Sequence, residues 1–243
     1  MDTAVPTPPV IFQNEGFCPC CDATVTFTAS DPWFRDFYRC PQCGSLPRER
    51  ALFHVLEKFY PDYASLTIHE SSPVWRGASA KLKKNVKNYI PTQYFEDIPA
   101  GRMHQGFRCE NLEHLSFPDN SIDLHVSQDV MEHVFAPEAA FAEIGRTLRP
   151  GGAHIFTVPL VNKLGQSRRC AVKNDQGDIV HLVPPSYHGN PVSEQGSLVT
   201  MEWGYDIVEH IFAASGLFTT IFYIDNIDLG IRAEYIEVLM TRK

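Results

Sequence analysis

One stretch decides the fold of this chain: CENLEHLSFPDNSIDLHVSQDVMEHVFAPEAAFAEIGRTLRPGGAHIFTVP, residues 109–159. Two apolar runs in it, IDLHVS and AHIFTVP, have the length and composition of strands that are buried on both faces. Between them, Phe141, Ile144 and Leu148 recur at the spacing of one helix face, and Pro150 with two glycines is expected to end that helix. This order of elements predicts a crossover unit of a parallel α/β sheet.

Polar side chains follow the first of these strands. Gln128, Asp129, Glu132 and His133 stand at or just after the end of IDLHVS. Open α/β sheets bind their ligands outside the carboxyl ends of the strands. The sequence therefore predicts a small-molecule site at this edge of the sheet.

Length and composition set limits around this core. The chain has 243 residues, of which 44% are hydrophobic, enough for one main domain and a small appendage. No apolar run approaches the roughly 20 residues that span a bilayer, and the N-terminus lacks a basic start followed by an apolar stretch. We therefore expect neither a membrane anchor nor secretion, and a cytoplasmic location.

The charge balance is acidic. A formal net charge of -8 and a pI near 5.7 argue against broad attraction to nucleic acid or to anionic lipid. Six basic residues that lie close in sequence are interpreted as solvated helix faces without a partner: Arg48, Arg50, Lys81, Lys83, Lys84 and Lys87.

Five of the seven cysteines cluster near the N-terminus. Cys18 and Cys21 form one C-x-x-C pair and Cys40 and Cys43 form a second, with 18 residues between the pairs, which is zinc-ribbon spacing. Two such knuckles present four thiolates to one Zn²⁺ ion, and a site closed by four thiolates has a structural rather than a catalytic role. Cys20 is an alternative ligand in place of Cys18 or Cys21.

Two other interpretations of the cysteines stay open. A disulfide framework needs an oxidising compartment, and a thioredoxin-like pair needs one C-x-x-C at the start of a helix. Between the pairs, VTFT and WFRDFYR are predicted to form a small hairpin. The segment GSLPRERALFHVLEKFY that follows predicts an amphipathic helix, with Leu52, Val55, Leu56 and Phe59 on one face.

The central stretch resembles a known family. The run LSFPDNSIDLHVSQDVMEHV, followed by an Ala/Glu-rich helix, LRPGG and IFTVP, is similar to the central block of class I S-adenosylmethionine (SAM) dependent methyltransferases of the type 11 kind. The resemblance implies a Rossmann-like, seven-stranded α/β sheet with helices on both faces. It covers roughly residues 48–243, and the zinc knuckle followed by CGS and an Arg-rich helix also resembles a bacterial subgroup of polysaccharide-associated methyltransferases.

These observations predict a division of the chain. Residues 1–15 are expected to be a flexible tail, residues 16–47 a zinc ribbon, and residues 48–243 the SAM-dependent methyltransferase domain. Within that domain, residues 160–203 are rich in polar and turn types. Because structureless segments of this length are uncommon in compact domains, we expect this one to cover the site of the methyl acceptor.

The resemblance also implies where the cofactor binds. Glu70 stands where the family has an acidic residue at the end of the first strand, but Ser71, Ser72 and Pro73 replace the usual glycines, and the first glycine is Gly77. Ser71 or Ser72 is expected to donate a hydrogen bond to the methionine carboxylate. The ribose hydroxyls are assigned to Gln93, with Glu96 or Asp97 as alternatives. The other residues that match family positions are Glu110, Asn111, Leu112 and Asp129.

Two histidines are the candidate catalytic residues. His133 lies in DVMEHV, which lines the floor between cofactor and acceptor in the family, and packing under the loop is an equally good interpretation of it. His188, in PPSYHGNPV, is the candidate general base, since deprotonating a hydroxyl needs a group that titrates near neutrality. Other residues of this segment are suited to sugar-like acceptors or to a phosphate: His181, Tyr187, Gly189, Asn190, Trp203, Arg168 and Arg169.

The predicted function is SAM-dependent O-methylation of a sugar, nucleotide sugar or similar small polar metabolite, with SAM as cofactor and zinc as a structural ion. One alternative is a zinc-ribbon RNA methyltransferase, which the net acidity disfavours. The other is a catalytically silent methyltransferase fold that binds a protein partner. An NAD-dependent dehydrogenase is disfavoured because G-x-G-x-x-G is absent. The oligomeric state is left open.

Overall fold

The computed structural model describes residues 9–190 and 193–243. At its start, strand β1 (Phe12–Cys18) pairs antiparallel with β2 (Ala23–Ala29). Helix α1 (Phe34–Phe37) then leads into the two-residue strand β3 (Tyr38–Arg39), which pairs with the end of β2. We call residues 12–46 the N-terminal unit.

The predicted hairpin is present only in part. Thr28 of VTFT pairs with Arg39 of WFRDFYR, but β2 pairs along its whole length with β1, and most of WFRDFYR lies in or just before α1. The predicted tail over residues 1–15 is too long, because β1 begins at Phe12. The Phe12 ring packs 5.1 Å from that of Phe34 and 5.7 Å from that of Tyr38, and these contacts hold the strand in the unit. The first eight residues of the predicted tail lie outside the described residues.

The rest of the chain contains four α-helices and fourteen strands among the described residues. The helices are α2 (Pro47–Phe59), α3 (Gly77–Asn85), α4 (Pro137–Thr147) and α5 (Ile207–Ser215). The strands, in chain order, are β4 (Thr67–Ser71), β5 (Asn88–Gln93), β6 (Met103–His104), β7 (Phe107–Cys109), β8 (Ile122–Gln128), β9 (Leu148–Thr157), β10 (Arg168–Arg169), β11 (Ala171–Lys173), β12 (Ile179–His181), β13 (Tyr187–Asn190), β14 (Ser193–Leu198), β15 (Met201–Glu202), β16 (Phe218–Phe222) and β17 (Val238–Arg242).

Eight of the described strands form the central sheet, in the order β16-β17-β9-β8-β4-β5-β7-β6. Strands β4, β5, β7, β8 and β9 are parallel, whereas β17 and β6 run antiparallel to their neighbours. The predicted α/β fold class is confirmed. The sheet has one strand more than the seven expected, because the short β6 turns back onto β7.

Helices cover both faces of this sheet. On one face, α2, α3 and the N-terminal unit share a core with sheet residues such as Ile68, Leu124 and Ile155. On the other face, α4 and α5 pack around Phe156 and Trp203. Side chains of adjacent strand residues point to opposite faces, so Ile155 and Phe156 of β9 enter different cores. The continuous apolar runs of the sequence follow from this double covering.

The crossover unit that the sequence predicted is present, with one shift at its end. Helix α4 ends at Thr147, and β9 begins at Leu148, so the Pro150–Gly151–Gly152 turn lies within the strand and not after the helix. A Cβ atom on Gly152 would lie 2.5 Å from the carbonyl oxygen of Asp123. The glycine therefore lets β9 approach β8 closely.

Residues 160–203 are not structureless. They contain three described two-stranded antiparallel pairs: β10 with β15, β11 with β12, and β13 with β14. Within the described parts of the chain, every helix is too short or too polar to cross a membrane.

Three histidines lie side by side in the middle of the sheet. His69 of β4 is in register with His125 of β8, which is in register with His154 of β9. All three are buried. Buried imidazoles need hydrogen-bond partners for both ring nitrogens when they stay neutral.

A chain of hydrogen bonds fixes which nitrogens carry protons. The Thr147 hydroxyl donates to the carbonyl oxygen of Glu143 at 2.8 Å, so it accepts from Nε2 of His125 at 2.8 Å. Nδ1 of His125 then accepts from Nδ1 of His69 at 2.7 Å, and Nε2 of His69 accepts from the Thr92 hydroxyl at 2.7 Å. Both rings are satisfied only in the neutral form.

We expect this row to make the protein sensitive to acid. Burial lowers the pKa of His69 and of His154 to about 3, and that of His125 well below its usual value. Between pH 6.5 and 3 the unfolded chain binds more protons than the folded one, so the free energy of unfolding falls as the pH falls, by about 1.4 kcal/mol per pH unit for each histidine. NMR titration of the imidazole protons checks the cause: three rings stay neutral at pH 5. Titration of every ring above pH 6 would contradict it.

Candidate cofactor and acceptor site

A cavity of about 1090 Å³ opens at the carboxyl ends of the parallel strands. The chain passes from β4 outward to β5 and β7, then returns to β8 and β9 on the other side, so the strand order reverses between β4 and β8. Ligands of open α/β sheets bind at such a reversal point. Nine of the predicted site residues line the cavity: Ser71, Ser72, Gln93, Glu110, Asn111, Leu112, Asp129, His133 and His188.

The turn after β4 forms without the usual glycines. Ser72 adopts a φ of 54°, in the left-handed region, and its N–H donates to the carbonyl oxygen of Thr92 at 2.8 Å. The chain enters α3 at Gly77, whose N–H donates to the carbonyl oxygen of Cys43 at 3.2 Å. A side chain at position 77 would collide with the Glu49 carboxylate. The turn is thus braced by the N-terminal unit and α2, and it leaves Ser71 and Ser72 facing the cavity.

Glu70 lies beneath this turn and not in the cavity wall. It is fully buried, and its carboxylate accepts hydrogen bonds from Ser79 at 2.6 Å, Tyr89 at 2.6 Å and Gln128 at 3.0 Å. Burial raises the pKa of this carboxyl group. The expectation that Glu70 contacts the cofactor is therefore corrected: both oxygens are used to join β4, β5, β8 and α3.

The ends of β5 and β7 supply the next part of the wall. Gln93 is 6% exposed and ends β5. Glu110, after β7, is buried and accepts hydrogen bonds from Arg108 at 2.7 Å and from the main-chain N–H of Ser116 at 2.9 Å. Asn111 accepts from the N–H of Glu113 at 2.9 Å. These bonds fix the loop that presents an apolar side chain, Leu112, to the cavity.

Asp129 is held by two arginines that come from distant parts of the chain. One carboxylate oxygen accepts from Nη2 of Arg35 at 2.8 Å and from Nε of Arg48 at 2.8 Å, and the other accepts from the Thr157 hydroxyl at 3.0 Å. Burial alone would raise the pKa of Asp129, but the two guanidinium groups outweigh it and lower the pKa to about 2. Asp129 is therefore a fixed anion on the cavity wall.

A carboxylate and two imidazoles lie together beyond Asp129. Nε2 of His133 is 3.8 Å and Nδ1 of His188 is 3.7 Å from the same oxygen of Glu132, and the two rings are 5.2 Å apart. His133 also contacts the carbonyl oxygen of Leu198 through Nδ1, at 2.8 Å. The Glu132 carboxylate raises the pKa of His188. The two histidines named from the sequence are thus brought together, and Glu132 joins them.

The other polar residues expected at the acceptor site lie elsewhere. Trp203 is fully buried, and its indole N–H donates to the carbonyl oxygen of Met131 at 3.1 Å, so it anchors the loop after β8 and does not stack on an acceptor. His181 and Tyr187 are exposed outside the cavity, whereas Gly189 lines it. Arg168 and Arg169 pair with Glu202 and Glu138. The side chain of Asn190, and Pro191 and Val192, lie outside the described residues.

Sequence reasoning missed several residues of the cavity wall. Trp33, Arg35 and Arg48 come from the N-terminal unit and the first turn of α2, and Tyr235 comes from the loop before β17. Arg48 was expected to be solvated, but its side chain is 14% exposed. No local pattern marks these residues, because the docking of the N-terminal unit onto the main sheet brings them to the site.

The four cysteines of the two knuckles converge on one point. Their sulfur atoms all lie within 4.8 Å of one another, with Sγ of Cys18 at 3.7 Å from that of Cys43 and Sγ of Cys21 at 3.8 Å from that of Cys40. In a tetrahedral site with Zn–S bonds of ~2.3 Å, the sulfur atoms are about 3.8 Å apart. The residues present therefore fit a zinc ion. Cys20 is not part of this group.

The sequence of the crossover region matches a known family. Residues 78–156, from α3 into β9, match the family described as "Methyltransferase domain". A search of curated proteins finds no match. Residues 78–156 therefore match a methyltransferase domain, and the resemblance seen in the central stretch is confirmed.

Several solved structures are similar to this chain at low sequence identity. A SAM-dependent methyltransferase from Mesorhizobium loti is 14% identical, with a TM-score of 0.50, and the match covers 79% of this chain and 98% of that one. A putative SAM-dependent methyltransferase from Listeria monocytogenes is 12% identical over 78% and 95% of the two chains, with a TM-score of 0.46. The 1,6-didemethyltoxoflavin-N1-methyltransferase of Burkholderia thailandensis, solved with S-adenosylhomocysteine, is 14% identical over 81% and 78%, with a TM-score of 0.46.

Proposed function

We propose that this protein transfers a methyl group from SAM to a hydroxyl of a small polyhydroxyl compound, such as a sugar or nucleotide sugar. The observation that carries the proposal is the cavity at the reversal point of the sheet, because the residues that match the family's cofactor positions, with the exception of Glu70, line it together with His133 and His188. The acidic surface expected from the net charge favours a small acceptor over RNA.

The cofactor residues divide the cavity into regions. Ser71 and Ser72, next to the start of α3, would bind the methionine carboxylate, and Gln93 would bind the ribose hydroxyls. Leu112 and Asn111 would contact the adenine. Glu110 and Asp129 already bind arginine or serine donors, so they act by fixing the loops that carry the contacts.

The acceptor end lies at the two histidines. When bound, SAM supplies a methyl group on a positively charged sulfur, which makes that group ready for nucleophilic attack. The acceptor oxygen forms the new C–O bond as the C–S bond breaks and its electron pair stays on sulfur, and the hydroxyl proton passes to His188. The main work of the chain is to hold both reactants in contact and to keep water out.

The N-terminal cysteines complete the proposal. Cys18, Cys21, Cys40 and Cys43 would hold a structural zinc ion in a ribbon that ends near residue 47, where the methyltransferase domain begins. Residues 160–203 would cover the acceptor. None of the seven cysteines forms a disulfide bond, which suits a reducing compartment such as the cytoplasm.

We expect S-adenosylhomocysteine to bind, and Gln93→Ala to weaken that binding three- to tenfold. The variant loses about one hydrogen bond, with a net contribution of about 1 kcal/mol, which corresponds to about a fivefold change in affinity. Isothermal titration calorimetry measures the affinity, with Gln13→Ala on the exposed face of β1 as a matched control. Absence of heat and of a thermal shift at about 1 mM ligand would overturn the proposed function and favour a silent binding protein. Mass spectrometry then tests candidate glycans for the gain of one methyl group.

A further inference from the structure

We propose that Glu132, His133 and His188 form a binding site for a divalent cation at the acceptor end of the cavity. One atom of each side chain lies within 4.8 Å of the others. This cluster shares no residue with the four cysteines that fit zinc. It is therefore a second, separate metal site, with nitrogen and oxygen donors in place of sulfur.

The state of the Glu132 carboxylate points to an absent positive partner. Its side chain is 3% exposed, and among the described residues neither of its oxygens has a hydrogen-bond partner. Burying a carboxylate without a partner is costly, because water no longer solvates the charge. The two imidazole nitrogens, at 3.7 and 3.8 Å, are too far away for hydrogen bonds. A cation among the three groups would satisfy the carboxylate.

The loop that carries Glu132 is held firmly. Its carbonyl oxygen accepts hydrogen bonds from the N–H of Thr200 at 2.8 Å, the hydroxyl of Thr200 at 3.1 Å and the N–H of Met201 at 3.2 Å. The Thr200 hydroxyl also contacts the carbonyl oxygen of Val134 at 2.6 Å. The main chain that carries the carboxylate is thus held in place before any ligand binds.

His133 has the orientation of a metal ligand. Nδ1 of His133 donates to the carbonyl oxygen of Leu198 at 2.8 Å, which leaves the lone pair of Nε2 directed toward Glu132. Metal-bound histidines usually donate their second nitrogen to a carbonyl or carboxylate in this way. His188 approaches from β13 on the other side, and 46% of its side chain is exposed, so the site is open to the cavity.

The donor set selects the type of cation. Two imidazoles and one carboxylate suit Zn²⁺, Mn²⁺ and Fe²⁺, whereas Ca²⁺ requires six or more oxygen ligands. Donors at ~2.1 Å from a tetrahedral ion are about 3.4 Å apart. The two N···O separations of 3.7 and 3.8 Å therefore contract by a few tenths of an ångström on binding, and the two imidazole nitrogens lie within 4.8 Å of each other.

A catalytic role for this ion rests on the proposed function. The binding of the ion does not depend on that function. Three protein ligands leave positions for the acceptor's oxygens, and a bound cation lowers the pKa of a hydroxyl that it ligates. His188 would then be a ligand and not the base. If His188 acts alone as the base, no cation is needed. A titration with a divalent cation therefore distinguishes His188 as a metal ligand from His188 as the base.

The test is a titration of the zinc-loaded protein with MnCl₂, followed by electron paramagnetic resonance of free Mn²⁺. Mn²⁺ is chosen because it competes poorly for thiolate sites. We expect one Mn²⁺ per chain, and binding about tenfold or more weaker in Glu132→Gln and in His188→Asn. His210→Gln, on α5, is the control and should bind as the unaltered protein does. His188 is half-exposed, so its replacement leaves the fold intact, which circular dichroism verifies.

Two results would overturn the site: no bound Mn²⁺ at millimolar concentration, or equal binding by Glu132→Gln and the unaltered protein. Titration of S-adenosylhomocysteine into the same samples separates this proposal from the proposed function. Cofactor binding without Mn²⁺ binding rejects the cation site alone, and Mn²⁺ binding without cofactor binding rejects the methyltransferase activity alone.

Discussion

Cys40→Ser is expected to release zinc, to lower the melting temperature by about 10–20 °C and to weaken cofactor binding about tenfold. Loss of a structural metal belongs to the few changes that cost more than about 4–5 kcal/mol, and in a domain of this size 1 kcal/mol shifts the melting temperature by about 2–4 °C. Zinc content, thermal unfolding and calorimetry with S-adenosylhomocysteine measure the three effects.

The effect on the cofactor follows from where the N-terminal unit is attached. The carbonyl oxygen of Cys43 accepts the N–H of Gly77, where α3 begins behind the serine turn. Arg35 of the same unit binds Asp129 on the cavity wall. A unit that unfolds without zinc removes both contacts, although none of its cysteines lies in the cavity wall.

Cys20→Ser is the matched control, because Cys20 is as buried as the ligands and stands between two of them. It tests the alternative ligand that the sequence left open. Stoichiometric zinc in Cys40→Ser, or loss of zinc in Cys20→Ser, would show that the ligand set is wrong. Loss of zinc with unchanged cofactor affinity would show that the unit does not brace the site.

The middle of the fold could be predicted because its pattern is local. IDLHVS and AHIFTVP are covered on both faces, and that condition leaves continuous apolar runs that few other structures allow. The cluster of four cysteines could likewise be predicted, because two C-x-x-C pairs with fixed spacing define it. In both cases the residues that form the pattern lie close together in the sequence. The sequence alone is therefore enough to predict the structure.

The rest depends on contacts between distant segments. Trp203 resembles a residue of an exposed loop, yet the sheet and α4 enclose it, and Arg35 reaches the cavity only because the N-terminal unit docks beside β8. The six basic residues that lie close in sequence differ in exposure for the same reason. Lys83, Lys84 and Lys87 are exposed as expected, whereas Arg50 and Lys81 are buried and Arg48 is half-buried, with partners that follow or precede them by many residues.

Arg50 is the most informative of these buried charges. Its side chain is fully buried and donates hydrogen bonds to the carbonyl oxygens of Gly230, Tyr38 and Ser45. The ring of Phe27 lies 4.6 Å from its guanidinium carbon. Arg50 thereby joins α2, the N-terminal unit and the loop before β17, and no carboxylate lies among these hydrogen-bond acceptors.

The negative charge that balances Arg50 comes from the nearby cysteine cluster. It donates to the Ser45 hydroxyl at 3.2 Å, and that oxygen lies 3.4 Å from Sγ of Cys18. Four thiolates around Zn²⁺ carry a net charge of about −2. The guanidinium group is therefore one hydroxyl away from the anionic cluster that it would neutralise.

We expect Arg50→Met to lower the free energy of unfolding by about 3–5 kcal/mol, because it leaves several buried carbonyl groups without donors. Arg50→Lys keeps the charge but loses the planar set of five N–H groups. Its free energy of unfolding should therefore lie between that of Arg50→Met and that of the unaltered protein. Urea unfolding measures the change, and Arg39→Met, exposed on β3, is the control, with a change within about 0.5 kcal/mol.

A second variant, Gly230→Ala, disturbs the same hydrogen bond between Arg50 and Gly230 by changing its acceptor. Gly230 has a φ of 64°, and a Cβ atom there would lie 2.7 Å from the Phe27 ring, so Gly230→Ala should displace the carbonyl group that Arg50 binds. Both variants should also release zinc to a chelator faster than the unaltered protein. If Arg50→Met unfolds at the same urea concentration as the unaltered protein, the hydrogen bonds of Arg50 do not hold the N-terminal unit on the sheet. The zinc site must then stabilise this unit alone.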